Sequence, residues 1–106
     1  MNTTGSAHAS NHASLTASLE QVQPLRHTPA GLPALDMQLV HASTGQEAGA
    51  QRQIALGIKA VAFGTQAERL ARQALGSLWD FQGFLAQGRN GKGVVFHIRE
   101  FQPHQF

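Results

Sequence analysis

The chain is expected to fold as an all-β protein, a five-stranded barrel with one short helix between its third and fourth strands. Three observations carry this expectation. Five segments alternate apolar and polar residues at the period of a half-buried strand. One segment, opened by Thr65-Gln66-Ala67-Glu68, spaces its apolar residues as a helix does. Gly and Pro fall mostly between these segments, where the chain must turn.

The first strand runs from Ala13 to Val22, where Leu15, Ala17 and Leu19 alternate with Ser14, Thr16 and Ser18. Pro24 and the run Thr28-Pro29-Ala30-Gly31-Leu32-Pro33 end it with turn signals. The second, Ala34 to Ala42, sets Leu35, Met37 and Leu39 on one face, and the small polar run Ser43 to Gly49 reads as a loop. In the third, Arg52 to Phe63, the series Ile54, Leu56, Ile58 drifts to Val61 and Phe63 beside Gly57, which predicts a bulge. Thr65 and Glu68 match a capping box, Ala67, Leu70, Ala71, Ala74 and Leu75 follow at helical spacing, and Gly76 is placed to stop the helix. Leu78–Gln87 and Val94–Phe101 are the fourth and fifth strands.

A two-residue turn at Asn90-Gly91 would set the register of that last hairpin. Arg89 would then face Lys92, Leu85 would face Phe96, Phe84 would face His97, and Gly83 would face Ile98. Trp79, Phe81, Leu85, Phe96 and Ile98 gather on the core side, with Gln82, Phe84, His97 and Arg99 on the other. Gly83, in mid-strand, is where a small barrel can bend. The order β-β-β-α-β-β is that of the OB-fold, a five-stranded barrel whose loops embrace oligonucleotides and oligosaccharides. Residues 1–10, polar and small, are expected to be a disordered tail, and residues 11–106 the OB-fold domain.

With 106 residues the chain makes one domain. Charged residues are 13% of it, about half the usual share, and the formal net charge is +2, so any affinity for nucleic acid must come from where the cations sit. The absence of Cys excludes disulfides, thiolate nucleophiles and a zinc ribbon. No stretch approaches the ~18 apolar residues of a membrane span, and the N-terminus has neither the basic region nor the apolar core of a secretory signal. Of six histidines, His8 and His12 have i, i+4 spacing but lie in a polar stretch with nothing to hold a helix, the others are scattered, and no nucleophile motif or paired carboxylates mark a catalytic cleft. Asp36 and Asp80 read as lone solvated positions. Neither an enzyme nor a cofactor is expected.

Arg89 and Lys92 stand out as like charges opposed at a hairpin tip, an arrangement that destabilises a sheet unless water or a polyanion meets them. Two readings follow: a solvated tip that keeps an edge soluble, or, in an OB-fold, one of the loops that hold oligonucleotides. Phe84 and His97 form a candidate stacking pair for unpaired bases, or else a patch packed against a second subunit. Trp79 shares the phase of Phe81 and reads as core.

Taken together, these stretches resemble the primosomal replication protein N, or PriB, family, itself similar to single-stranded-DNA-binding proteins. The resemblance is carried by Arg26-His27-Thr28-Pro29-Ala30-Gly31-Leu32-Pro33, Leu39-Val40-His41-Ala42-Ser43, Glu47 to Gln53, Phe81-Gln82-Gly83-Phe84-Leu85 and Val94-Val95-Phe96-His97-Ile98. It implies a homodimer of OB-folds that binds single-stranded DNA, stabilises the helicase PriA at stalled forks and hands over to DnaT, in the bacterial cytoplasm and associated with the nucleoid. The matching positions make Arg26, Arg89 and Lys92 phosphate contacts, with Arg52 beside them and Phe84 as a stacking candidate. The chain departs from the family pattern at Ala42, where a cation is usual, and at Ala55 and Ala50, where rings are. These departures keep open an OB-fold adaptor with weak or no DNA binding, and the fold itself also permits an RNA-binding OB module.

Overall fold

The described residues form six strands and one helix: β1 (Ala13–Val22), β2 (Arg26–His27), β3 (Pro33–Glu47), β4 (Ala50–Phe63), α1 (Thr65–Ala71), β5 (Leu78–Gln87) and β6 (Val94–Pro103). They are seen in a computed structural model that describes residues 9–105, so most of the expected tail over 1–10 lies outside the described residues. The sheet runs β1-β5-β6-β4-β3-β2, and a further pairing of β1 with β3 closes the five long strands into a barrel. β4 and β6 pair in parallel; the other neighbours are antiparallel. With α1 between the third and fourth long strands, this is the expected OB-fold.

The inward phase of the five long strands supplies the core. Leu19, Leu35, Leu39, Phe81 and Phe96 are fully buried, and α1 adds Leu70. Each such side chain removed from water contributes about 1.5–3 kcal/mol before entropy is counted. Trp79 packs against this core as expected, edge-on to Phe101 with ring centroids 5.1 Å apart, while its indole N–H donates to Ser77 Oγ at 2.7 Å. Leu85 does not join them. It keeps the inward phase but lies past the barrel mouth, 41% exposed, with its backbone N–H and C=O bonded to the Asn11 amide.

The expected loop Ser43–Gly49 is strand instead. β3 and β4 pair without a break from Ala34–Phe63 to Glu47–Ala50, and only Ala48 and Gly49 turn, both at positive φ. Small polar residues suit this arm because it stands off the barrel, where the backbone needs partners and the side chains need no core. The same unbroken register excludes the bulge expected at Gly57. Ile54, Leu56, Ile58, Ala60 and Ala62 hold one phase throughout, and Val61 and Phe63 are apolar residues of the opposite face. Bulges fall elsewhere: Glu20 is the extra residue of β1 against β3, and Arg99 is the extra residue of β6 opposite the Gln82–Gly83 step.

β2 has no signature in the sequence because two residues cannot show a period. Its pairing with Ala34 and Pro33 follows from a tight turn, in which Gly31 N–H donates to the Thr28 carbonyl and Leu32 N–H to the Thr28 hydroxyl.

The helix is shorter than expected, and its capping box does not form. Thr65 lies inside the first turn, the N-cap is Gly64, and no side chain caps the helix. Gly64 stands at φ 68° and ψ −139°, a region open essentially to Gly alone, with its N–H bonded to the Pro33 carbonyl. The α-helix ends at Ala71, and Arg72 and Gln73 tighten its end with bonds to the Arg69 and Leu70 carbonyls. Gly76, at φ 86°, turns the chain four residues after Arg72 and donates to the Leu19 carbonyl, so Ala74 and Leu75 lie outside α1. Thr65→Ala is therefore expected to change stability by no more than about 0.5 kcal/mol. Gly64→Ala should cost about 1–3 kcal/mol through backbone strain, since its Cβ would meet only Leu32 Cδ1 at 3.8 Å. Urea denaturation of both variants checks this, and a loss near 1 kcal/mol for Thr65→Ala would reinstate the capping box.

Candidate nucleic-acid interface

Where β3, β4 and β6 lie side by side, their outward residues line a groove. β3 contributes Asp36 and Gln38, β4 contributes Lys59, Val61 and Phe63, and β6 contributes Val95 and His97. The register explains the grouping: Asp36 faces Val61, Gln38 faces Lys59, and Val61 faces His97 across the parallel pair. Arg26 on β2 and the loop Gly88–Gly93 close the sides, giving an open cavity of about 610 Å³.

The β5–β6 register is the expected one, with Leu85 against Phe96 and Phe84 against His97. The tip is not. The ladder ends at Gln87–Val94, so Arg89 and Lys92 are loop residues and not a cross-strand pair. Gly91 N–H donates to the Gly88 carbonyl at 2.9 Å, Lys92 N–H to Asn90 Oδ1 at 3.0 Å, and Gly88 N–H to the Gly93 carbonyl at 3.2 Å. The loop backbone is thus internally bonded, while both cationic side chains are exposed over the groove.

Arg26, Arg89 and Lys92 are brought to one groove. Arg26 is already partnered: its Nε donates to Asp36 Oδ2 at 2.6 Å and its Nη2 to Oδ1 at 3.1 Å. These hydrogen bonds hold the Asp36 carboxyl below its ordinary pKa, with a smaller push from Arg89, and raise that of Arg26. Asp36 is therefore no lone solvated acid. Nor is Asp80, which accepts from the Thr16 hydroxyl and lies 2.9 Å from His104 Nδ1.

Arg52 is not brought to the groove. It sits near the end of the β3–β4 arm, 3.0 Å from Glu47. Phe84 lies beside the groove but does not line it. Its ring stacks on His97 at 4.8 Å and carries the Arg99 guanidinium at 4.9 Å. His97 reaches into the groove itself, 6.1 Å from the 38%-exposed ring of Phe63, and burial lowers its pKa. Arg99, Phe84, His97 and Phe63 thus form a continuous run of planar groups at the groove's flank.

Lys59 and Phe63 are groove residues that the sequence reading passed over. Their signal was present: they share the phase of Val61, opposite to the core series of β4. Ala42 and Ala55, the departures from the family pattern, are direct cross-strand partners on the arm and leave it without a cation or ring there. Trp79, the chain's one Trp, is away from the groove. Among the described residues no group of three His, Asp or Glu is placed to hold a metal ion, and no helix is long and apolar enough to cross a membrane.

Comparison with known proteins agrees with this architecture. A family model described as "Another single-strand binding protein family" matches residues 11–100. The chain is 48% identical over 91 residues to the replication restart protein PriB of Bordetella pertussis, covering 85% of each. It is 44% identical over 96 residues to the PriB of Neisseria meningitidis serogroup B, covering 90% of this chain and 95% of the other. The solved structure of PriB from Ralstonia solanacearum superposes with a TM-score of 0.84 at 37% identity, covering 92% of this chain and all of that one.

Proposed function

The chain belongs to the single-strand-binding family and, within it, to the PriB replication restart proteins, and from this premise we propose that it binds single-stranded DNA as a non-enzymatic accessory of replication restart. The observation that carries the reading is the groove that collects Arg26, Lys59, Arg89 and Lys92 beside the rings of Phe63 and His97. Cations track a phosphate backbone whatever its sequence, and flat side chains accept the face of any base. DNA at a stalled fork has no fixed sequence, so this chemistry fits the task. Arg89 and Lys92 are the principal phosphate contacts, Arg26 joins them when released from Asp36, and Arg52 lies farther along the arm. Phe84 acts through its stack on His97.

On the same reading the protein stabilises the helicase PriA on DNA, passes the complex to DnaT, and works in the bacterial cytoplasm at the nucleoid. A homodimer is part of it. β1 pairs with β5 over Ala13–Ser18 but with β3 only from Ser18 onward, and the Thr16 carbonyl accepts from His41 Nδ1 in place of a strand. Exposed Ile54 and Leu56 lie in the same β3–β4 arm as His41, and Leu56 is the cross-strand partner of His41. An unpaired edge with apolar side chains on the neighbouring arm is surface that a second copy covers. Sedimentation equilibrium at micromolar concentration is expected to give a dimer, and a monomer would remove that part of the proposal.

A protein-interaction adaptor remains the second reading, favoured by the Arg26–Asp36 pair and the facing Ala42 and Ala55. Anisotropy of labelled oligo-dT, oligo-U and PriA under one set of conditions separates them. Saturable, salt-sensitive binding of oligo-dT supports the DNA reading. Binding of PriA alone puts the adaptor first, and preference for oligo-U points to an RNA module.

A further inference from the structure

Asp36 is the one carboxylate among the described residues that line the groove, and it stands among four cations. It lies on the outward face of β3, between Ala34 and Gln38 of its own strand and across from Val61. Both its oxygens meet Arg26, at 2.6 Å and 3.1 Å, in the two-point geometry by which a guanidinium also holds a phosphate. We propose that the Asp36 carboxylate is a resident competitor for the groove's phosphate position: it occupies Arg26 while no strand is bound, and gives it up when a phosphodiester arrives.

The two-point contact also ties β2 to β3, but its side chains remain 31% and 40% exposed, so Arg26 stays within reach of a ligand in the groove. The apolar core beneath is complete without it, since Leu35 and Met37 on the same strand point inward and are buried. In a groove for a polyanion, however, a fixed carboxylate has a definite effect. It repels phosphate, and once Arg26 has left for the strand the freed carboxylate takes up a cation from solution, which offsets part of the counterion release that drives binding. It also offers Arg26 a partner as the strand leaves, so the cation is never left without one and release is quick.

This inference rests on the reading that the groove takes nucleic acid, and the test separates the two. Oligo-dT anisotropy is followed across a salt series for the parent, Asp36→Asn, Asp36→Glu, Arg26→Ala and the double change Arg26→Ala/Asp36→Asn. Asp36→Asn keeps the shape and removes the charge. It is expected to tighten binding about three- to tenfold near 100 mM salt and to steepen the log–log slope by about 0.7 per protomer. Asp36→Glu should behave as the parent, and the gain should fall by at least half without Arg26.

A measurement on the unaltered protein guards against misfolded variants. The Arg26 Nε–H resonance, shifted by its carboxylate hydrogen bond, should move on saturation with oligo-dT. Two outcomes overturn the competitor while leaving the groove intact: salt-dependent binding by the parent with equal or weaker binding by a folded Asp36→Asn, or an Arg26 resonance that DNA leaves in place. Failure of the parent to bind oligo-dT overturns both.

Discussion

Gly83→Ala is expected to destabilise the barrel severely at its β5–β6 seam. Gly83 lies where Arg99 bulges out of β6, so β5 and β6 approach more closely there than a regular ladder allows. A Cβ at Gly83 would overlap the His97 carbonyl oxygen, stand 2.8 Å from the carbonyl carbon and 3.1 Å from Ile98 Cα. All three are backbone atoms of a strand held on both sides, by β5 and by β4, so none can give way as a flexible side chain would. Ile98 and Phe96 are core residues of that strand, and displacing it opens the core. The cost should reach about 3 kcal/mol or more, a large share of the 5–15 kcal/mol that stabilises an ordinary domain. Purified Gly83→Ala should show loss of near-ultraviolet circular dichroism or a melting temperature lower by over about 10 °C. A variant that melts with the parent would mean that the bulge can slide along β6.

Exchanging both loop cations, Arg89→Ala with Lys92→Ala, should abolish most of the DNA affinity while leaving the fold alone. If Arg26, Arg89 and Lys92 of two protomers engage phosphates, about six contacts give a log–log salt slope near −4 for single strands. Parent binding should then fall by over two orders of magnitude between roughly 50 and 200 mM salt. The double variant removes about four of these contacts and should flatten the slope by about 3. Both side chains are exposed, and the loop is organised by backbone and Asn90 hydrogen bonds that survive the change. Stability should therefore stay within about 0.5 kcal/mol of the parent. Because the two residues are not ladder partners, no gain from relieved repulsion is expected. Oligo-dT anisotropy across a salt series, with a thermal melt of each protein, gives the answer. An unchanged slope would reduce the loop to a solvated turn and move the adaptor reading forward.

The parts of the fold that were legible from residues alone are those governed by short-range alternation. In β1, β5 and β6 one face meets the core, so the bounds of β1 and β5, the start of β6 and the β5–β6 register follow from the pattern, while β6 runs two residues past the expected Phe101, to Pro103. β4 misleads for the opposite reason. Its outward face is apolar at Val61 and Phe63 because a groove is there, and a groove lined by residues distant in sequence leaves no local mark except an apparent change of phase. The β3–β4 arm was hidden because paired backbone needs no apolar side chains. The capping box failed because the chain entering α1 is tied through Gly64 to Pro33, a contact 31 positions away.

The site divides along the same line. Its loop cations, its rings and the glycines that set its loop are matters of composition and spacing, so Arg89, Lys92 and Phe84 could be named without coordinates, and Arg26 through the family resemblance. What each can do depends on neighbours that only folding supplies. Arg26 gains Asp36, ten residues away, because β2 folds back on β3; Phe84 gives its ring to His97 and Arg99; Arg52 is carried out along the arm to Glu47. The amino-acid sequence by itself determined an all-β barrel of this family with cations on the loop of its last hairpin, because alternation and turn chemistry act over a few residues. Tertiary structure alone decided which cations share a groove and which are held by a carboxylate, because charge interactions depend on distance in space and not on separation along the chain.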